Sequence, residues 1–313
     1  VVNLEQSISD SSLELLKGTL HTPVSSAEKL SHLGVDVVNL ANNHIQDKGP
    51  AGILDTIDAL EKNNIRYFGA GSDLAASREP HWLASDLVIL GYCDFEKPHL
   101  NQVLVAGADS PGVNPLREET ILEDLLLLPK SAKVILYFHW GREHVSLPPL
   151  SDISLAKSLL KHEQVCGIVG MHAHQIQGIL FDKNKPAFMC IGNFLFPNFY
   201  IKPRNKIYNP SAHEKKLVMS TTYQYHKVFI PTYKKWRSVN RQSMVVAYNT
   251  ETNEWSHEFV CQHENSPLVE AVHLKTKKWL DLKLYILTMI MKLSPAIYGA
   301  LYNTHSVINL AIW

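Results

Sequence analysis

Apolar, β-branched runs that alternate with stretches of helical period constrain the fold of this 313-residue chain more than any other feature. Residues 35–40, 65–68, 87–90, 134–138, 167–170 and 187–191 have the length and composition of buried strands. Between them, Ser25-Ser26-Ala27-Glu28 has the form of a capping box, and Gly34 should stop the short helix that follows. Pro50 suits a first helical position ahead of Ile53, Ile57 and Leu60. Residues 118–128 read as a helix, and Ser151 is placed to cap another that runs to His162. Strands alternating with helices predict an α/β fold, a mixed sheet with helices outside it.

The texture changes after about residue 200. Residues 201–214 are polar and loop-like, whereas 216–225, 243–248 and 255–260 alternate as antiparallel strands do. Residues 275–313 are helical and apolar, densest over 284–291, but Lys292, Ser294 and Pro295 break the run before it reaches the roughly 20 residues of a membrane span. The expected division is a main domain over 1–265 and an apolar helical tail over 266–313, packed or interfacial in preference to membrane-associated. Val1-Val2-Asn3-Leu4 is strand-like from the outset, with no initiator Met and no signal-peptide pattern, so the sequence reads as starting inside a domain.

Thirty basic residues balance thirty acidic ones with no long basic block, and nucleic acid is not an expected partner. The small clusters Lys234-Lys235-Trp236-Arg237 and Lys275 with Lys277-Lys278-Trp279 read as solvated faces. Cys93, Cys166, Cys190 and Cys261 contain no C-x-x-C pair and look like reduced core cysteines. Sixteen histidines are a high count, and their placement is informative. His44, His139 and the pair His172/His174 each follow directly on a strand-like run, whereas His144 alone reads as a surface or satisfied residue. Ligands of open α/β sheets bind beyond the carboxyl ends of strands, where the loops converge. Neutral imidazole is a common ligand of transition metals, and an Asn carbonyl or a carboxylate adds hard oxygen. The i, i+2 spacing of His172 and His174 lets the two reach adjacent ions, the arrangement that activates water against a phosphoester.

Several motifs in order carry a resemblance. Asn3-Leu4-Glu5, Leu40-Ala41-Asn42-Asn43-His44 with Asp47 and Gly49, and Gly69-Ala70-Gly71 resemble the first half of the CapA/PgsA family of bacterial capsule and poly-γ-glutamate synthesis proteins. His139-Trp140-Gly141 with Glu143, Gly170-Met171-His172-Ala173-His174 and Ile191-Gly192-Asn193-Phe194 resemble its second half. That family is similar to the calcineurin-like metallophosphoesterases, so the resemblance implies a four-layer α/β/β/α sandwich. The family's strand ending in Gly-Asp supplies a first metal carboxylate, and this sequence begins past that segment, so the sandwich is expected to lack its first strand.

Carried over residue by residue, the resemblance implies that Glu5, Asn43, His139, His172 and His174 bind two divalent ions (Mn, Fe or Zn). His44 and Glu143 would be catalytic, with His44 acting as general acid or electrostatic stabiliser, while Asn3, Asn42, Trp140 and Asn193 would line the pocket. Asp47 either orients His44 or caps the helix at Pro50, and capping is the expectation. The implied activity is metal-dependent hydrolysis of a phosphoester or related bond on an anionic polymer or phosphorylated substrate, beside membrane-bound capsule-synthesis partners. The alternative is a non-catalytic assembly component with a degenerate metal pocket. The resemblance implies a membrane-anchored extracytoplasmic setting, whereas cysteines without a pairing pattern and the absence of a visible leader leave a cytoplasmic one open.

Overall fold

A computed structural model describes residues 1–13, 20–95, 103–201 and 232–312. The strand reading of 216–225 lies outside the described residues. The chain divides into two compact units. Val1–Ala132 with Leu136–His139 belongs to the first; Lys133–Ile135, Trp140–Tyr200 and the chain from Tyr233 onward form the second. Both are mixtures of strand and helix, as the alternating pattern predicts.

In the first unit, β1 (Val2–Asn3), β2 (Val37–Asn39) and β3 (Arg66–Phe68) form a parallel sheet in the order β1-β2-β3, with Asn3 opposite Asn39 and Asn39 opposite Phe68. Helix α1 (Ala27–His32) precedes β2, and α2 (Gly49–Lys62) makes the crossover from β2 to β3. Parallel neighbours need such a crossover, and the helix must bury one stripe to hold it. That stripe is Ile53, Ala59 and Leu60, packed with Leu4, Ile8, Leu40 and Ile45. Strand β4 (Leu87–Cys93) is buried throughout, and α3 (Glu118–Leu127) turns Ile121 and Leu125 inward.

Strand β5 (Lys133–His139) contributes its first residues to the second unit and its last to the first. In the second unit α4 (Leu150–Leu159) leads into β6 (Val165–Met171), which is parallel to β8 (Lys185–Phe188); β7 (Ile179–Asp182) pairs antiparallel with β8. A separate antiparallel sheet holds β9 (Gln242–Asn249), β10 (Glu254–Gln262) and β11 (Val269–Ala271). Helices α5 (Leu274–Ile290) and α6 (Pro295–Ile312) follow, divided where Ser294 and Pro295 were expected to break the run. Leu280, Leu284 and Leu287 form the buried stripe of α5, and Met291 at its C-cap is buried with them. Among the described residues no helix is long and apolar enough to cross a membrane.

Several local expectations change. Ser26 precedes α1, but its side chain makes no capping bond; its Oγ accepts from Thr22 instead. Ser151 lies inside α4, which Pro149 precedes and which ends three residues short of His162. Of the four cysteines expected in the core, Cys93 and Cys190 are buried and Cys166 and Cys261 are half-buried, and burial pushes the Cys166 thiol up to about 11. A thiol held that high is a packing group, not a nucleophile.

Candidate metal centre

Two sets of ligand-type side chains form, one in each unit. In the first unit, β2 ends at Asn39 and the chain runs into the buried loop Leu40-Ala41-Asn42-Asn43-His44. Asn42 braces this loop: its Nδ2 donates to the Leu4 carbonyl at 2.9 Å, and its Oδ1 accepts from the His44 amide at 3.0 Å. Asn39 likewise donates to Asn3 Oδ1 at 2.9 Å, and Asn3 donates to Glu5 Oε2 at 3.1 Å. Asn3 and Asn42, expected to line a pocket, therefore serve as braces that position Glu5 and the Asn43-His44 turn. With these in place, Asn43 Oδ1 lies 2.9 Å from His139 Nε2, and Glu5 Oε1 lies 3.7 Å from the same nitrogen. An amide oxygen and a carboxylate oxygen thus both lie beside the His139 imidazole, residue types suited to a divalent transition ion, which would there replace the proton shared between His139 and Asn43.

His44 stands apart from that trio and is partly exposed. Its Nδ1 donates to Asp47 Oδ2 at 2.7 Å, and the same carboxylate oxygen accepts from the Leu20 amide at 2.7 Å. Asp47 was expected to cap the helix at Pro50. It does not, because Lys48 is the residue preceding α2 and Asp47 is fully buried against His44. The physical reason is that a buried carboxylate needs strong donors, and the imidazole N–H is one.

In the second unit, β6 delivers His172 and His174 on left-handed backbone, with φ of 89° and 53°. Such angles are uncommon outside glycine, and they cluster where surrounding structure enforces a functional geometry. Both rings are buried, at 1% and 5% exposure. Ligand atoms of Glu143, His172 and His174 all lie within 4.8 Å of one another. Atoms bound to one ion at 2.0–2.2 Å lie at most about 4.4 Å apart, so this set fits an ion after a small closure. Glu143, expected as a catalytic group, is placed here with the ligand atoms.

The hydrogen bonds around His174 fix its tautomer. Asn193 Nδ2 is committed to the Asn240 carbonyl at 3.0 Å, so Asn193 presents Oδ1 to His174 Nδ1 at 2.8 Å. His174 Nδ1 must therefore carry the proton, which makes Nε2 the nitrogen with a lone pair. Metal-binding histidines are oriented in this way by a partner on the other nitrogen. Asn240 Nδ2 in turn donates to the His174 carbonyl at 2.9 Å and holds the strained turn from behind.

The loop carrying Glu143 is anchored to the same region. Gly141 adopts φ +83°, and the His144 amide donates to the Ala173 carbonyl at 2.9 Å. The His144 ring stacks on His174 with centroids 5.5 Å apart, and Trp236 packs on both rings at 5.6 and 5.7 Å. Lys235 and Arg237 are exposed, as a solvated face requires, but Trp236 between them is 6% exposed and its indole N–H is spent on the Pro197 carbonyl. Trp140, expected in the pocket, is 2% exposed and donates to the Met189 carbonyl at 2.8 Å. Gly170 permits that contact, since a Cβ there would meet Met189 O at 2.0 Å and Trp140 Nε1 at 2.5 Å. His144, Trp236 and Asn240 are the residues that sequence reasoning passed over. A lone His after a turn, a Trp in a basic run and an Asn in a loop carry no signal by themselves.

An α/β chain that presents histidines, asparagines and carboxylates after its strands defines the class, and the sequence comparison gives it a family. The chain belongs to the bacterial capsule synthesis protein family PGA_cap, whose model matches residues 1–198. Every expected site residue falls inside that match; Trp236 and Asn240 lie beyond it. The chain is 28% identical over 191 residues to the PGA biosynthesis protein CapA of Bacillus subtilis (strain 168), covering 59% of this chain and 49% of that protein. It is 27% identical over 192 residues to the capsule biosynthesis protein CapA of Bacillus anthracis, covering 58% and 44%. A probable polyglutamine synthesis accessory protein of Mycobacterium tuberculosis (strain CDC 1551 / Oshkosh) is 30% identical over 156 residues, covering 46% and 40%. The matched chain thus spans about half, or less, of the length of these relatives.

Proposed function

We propose that this protein acts in the synthesis of a capsule or poly-γ-glutamate polymer by metal-dependent hydrolysis of a phosphoester or related bond, within a metallophosphoesterase-like sandwich. The observation that carries this reading is the Glu143–His172–His174 set: two buried imidazoles on left-handed backbone beside a carboxylate, with the His174 tautomer set by Asn193. Glu143, His172 and His174 would hold one divalent ion, and Glu5, Asn43 and His139 a second. Mn, Fe and Zn all suit such mixed nitrogen and oxygen donors. When bound, such ions polarise the scissile bond and lower the pKa of water to make a nucleophile near neutral pH.

The chain's own groups supply the remaining roles. Asp47 holds the Nδ1–H of His44, which leaves Nε2 as the atom that delivers a proton to the leaving oxygen. Asn42 keeps His44 at that position through its amide. The substrate would be an anionic polymer or a phosphorylated intermediate, handled beside membrane-bound partners. The word "accessory" in the name of the mycobacterial relative favours a second reading, a non-catalytic assembly component that keeps a metal pocket.

The deciding experiment measures bound metal by elemental analysis and hydrolysis of an aryl phosphate with added Mn or Zn, using the full chain. Loss of about one equivalent of metal together with loss of rate in His172→Ala and His174→Ala supports the hydrolase. Metal binding with no rate selects the assembly role, and absence of metal from the parent protein rejects both.

A further inference from the structure

Helix α5 is apolar on two opposite faces, which a helix with a single packing partner does not need. Leu280, Leu284, Leu287 and Met291 form the inner stripe and are buried. The opposite side carries Trp279, Leu282 and Ile286, at spacings of three and four residues, and Leu293 follows just past the helix end. These four are 51%, 56%, 47% and 40% exposed, Tyr285 beside them is 63% exposed, and Ile297 continues the stripe into α6 at 54%. Solvent-facing positions of an ordinary surface helix are polar, so a continuous outward stripe of this size marks a surface that something else covers.

The charges on α5 identify the cover. Residues 274–293 hold five lysines against one aspartate. Lys277 is engaged by Glu258 at 2.6 Å, and Lys283 lies over the Trp279 ring at 5.6 Å. Lys275 and Lys278 share the outward face at its first turn, and Lys292 borders it at the other end; none of the three has an ion-pair partner among the described residues. A second copy would set like-charged helices against each other. An anionic bilayer surface instead accepts the apolar stripe among its acyl chains, the lysines among its headgroups, and Trp279 and Tyr285 at the boundary between them. We infer that α5 lies in the plane of an anionic membrane and docks this unit onto it. Contact of this kind is distinct from spanning, for which α5 is neither long nor apolar enough.

Flotation of the full chain with vesicles of phosphatidylglycerol and phosphatidylethanolamine, against vesicles of phosphatidylcholine, tests the inference. Binding is expected to the anionic vesicles alone and to weaken with added salt. The double variant Leu282→Ser/Ile286→Ser alters only exposed side chains, keeps the parent melting temperature, and is expected to bind at least about tenfold more weakly. Lys275→Gln/Lys278→Gln should weaken anionic binding without changing the melt. No binding, equal binding to both vesicle types, or binding that the serine variant leaves intact would overturn the inference. So would a dimer in light scattering that the serine variant converts to monomer, since the stripe would then pair two copies.

Discussion

Asn193 orients His174 in the second ligand set. Its amide is fixed at both ends: Nδ2 on the Asn240 carbonyl, Oδ1 on His174 Nδ1. Asn193→Ala removes the acceptor and frees the imidazole to rotate or change tautomer. Replacement of such an outer partner lowers metal affinity about 10–100-fold. Titration with Mn or Zn followed by calorimetry checks this, and Asn193→Asp, which keeps an acceptor, should recover most of the loss. Unchanged affinity in Asn193→Ala would remove the basis for this orienting role. Gly141 poses a separate constraint. At φ +83° an added Cβ is strained, and it would also sit 3.3 Å from Asp152 Oδ2. Gly141→Ala should cost about 1 kcal/mol or more, read from the urea midpoint.

Single elements can be tested against each other on α5. Leu284 belongs to the buried stripe and Leu282 to the exposed one, two residues apart. Leu284→Ala leaves a cavity and should cost about 2–5 kcal/mol, whereas Leu282→Ala should fall within about 0.5 kcal/mol of the parent. Equal losses would mean that the outward face is packed within the folded chain. Helix α6 carries a pH response. Burial, aided by Lys283, holds His305 below its ordinary value of 6.5, and burial does the same for His257 on β10. His305 Nε2 accepts from the Ser146 amide at 3.2 Å, which requires the unprotonated nitrogen. The unfolded chain therefore binds protons at higher pH than the folded one. The contribution is complete above about pH 6.5 and is lost as the pH falls from there through the depressed folded values. Urea midpoints measured on either side of that window should drop on the acid side, and His305→Gln should remove part of the slope.

For the molecule as a whole, metal occupancy should register as stability. An ion present at a hundredfold over its dissociation constant adds about 2.7 kcal/mol if it binds the folded state alone. The melting temperature should rise with Mn or Zn and return to its starting value with chelator. His139→Ala and His174→Ala remove ligands from different sets, so each should lower the bound metal by about one equivalent, not abolish it. Complete loss in either single variant would show that one ion, not two, depends on all these residues.

How much of this was legible beforehand varies with the distance over which each feature is decided. Strands ending at Asn39, His139 and Met171, the crossover helix after Pro50 and the break at Ser294-Pro295 are all encoded within a few residues of chain. Apolar periodicity marks which face is buried, and glycine and proline mark where an element stops, so the sequence alone determined the α/β alternation and the delivery of histidines to strand ends. The roles of Asp47, Trp140, Trp236 and Asn240 depended on partners up to 96 residues away, as for Asn240 and His144. Local pattern cannot say whether Asp47 turns to a helix end or to an imidazole, nor that an Asn in a distant loop will commit the amide that selects a histidine tautomer. Those outcomes are settled by which polar groups the packed core leaves close enough to satisfy one another, and only the tertiary structure decided them.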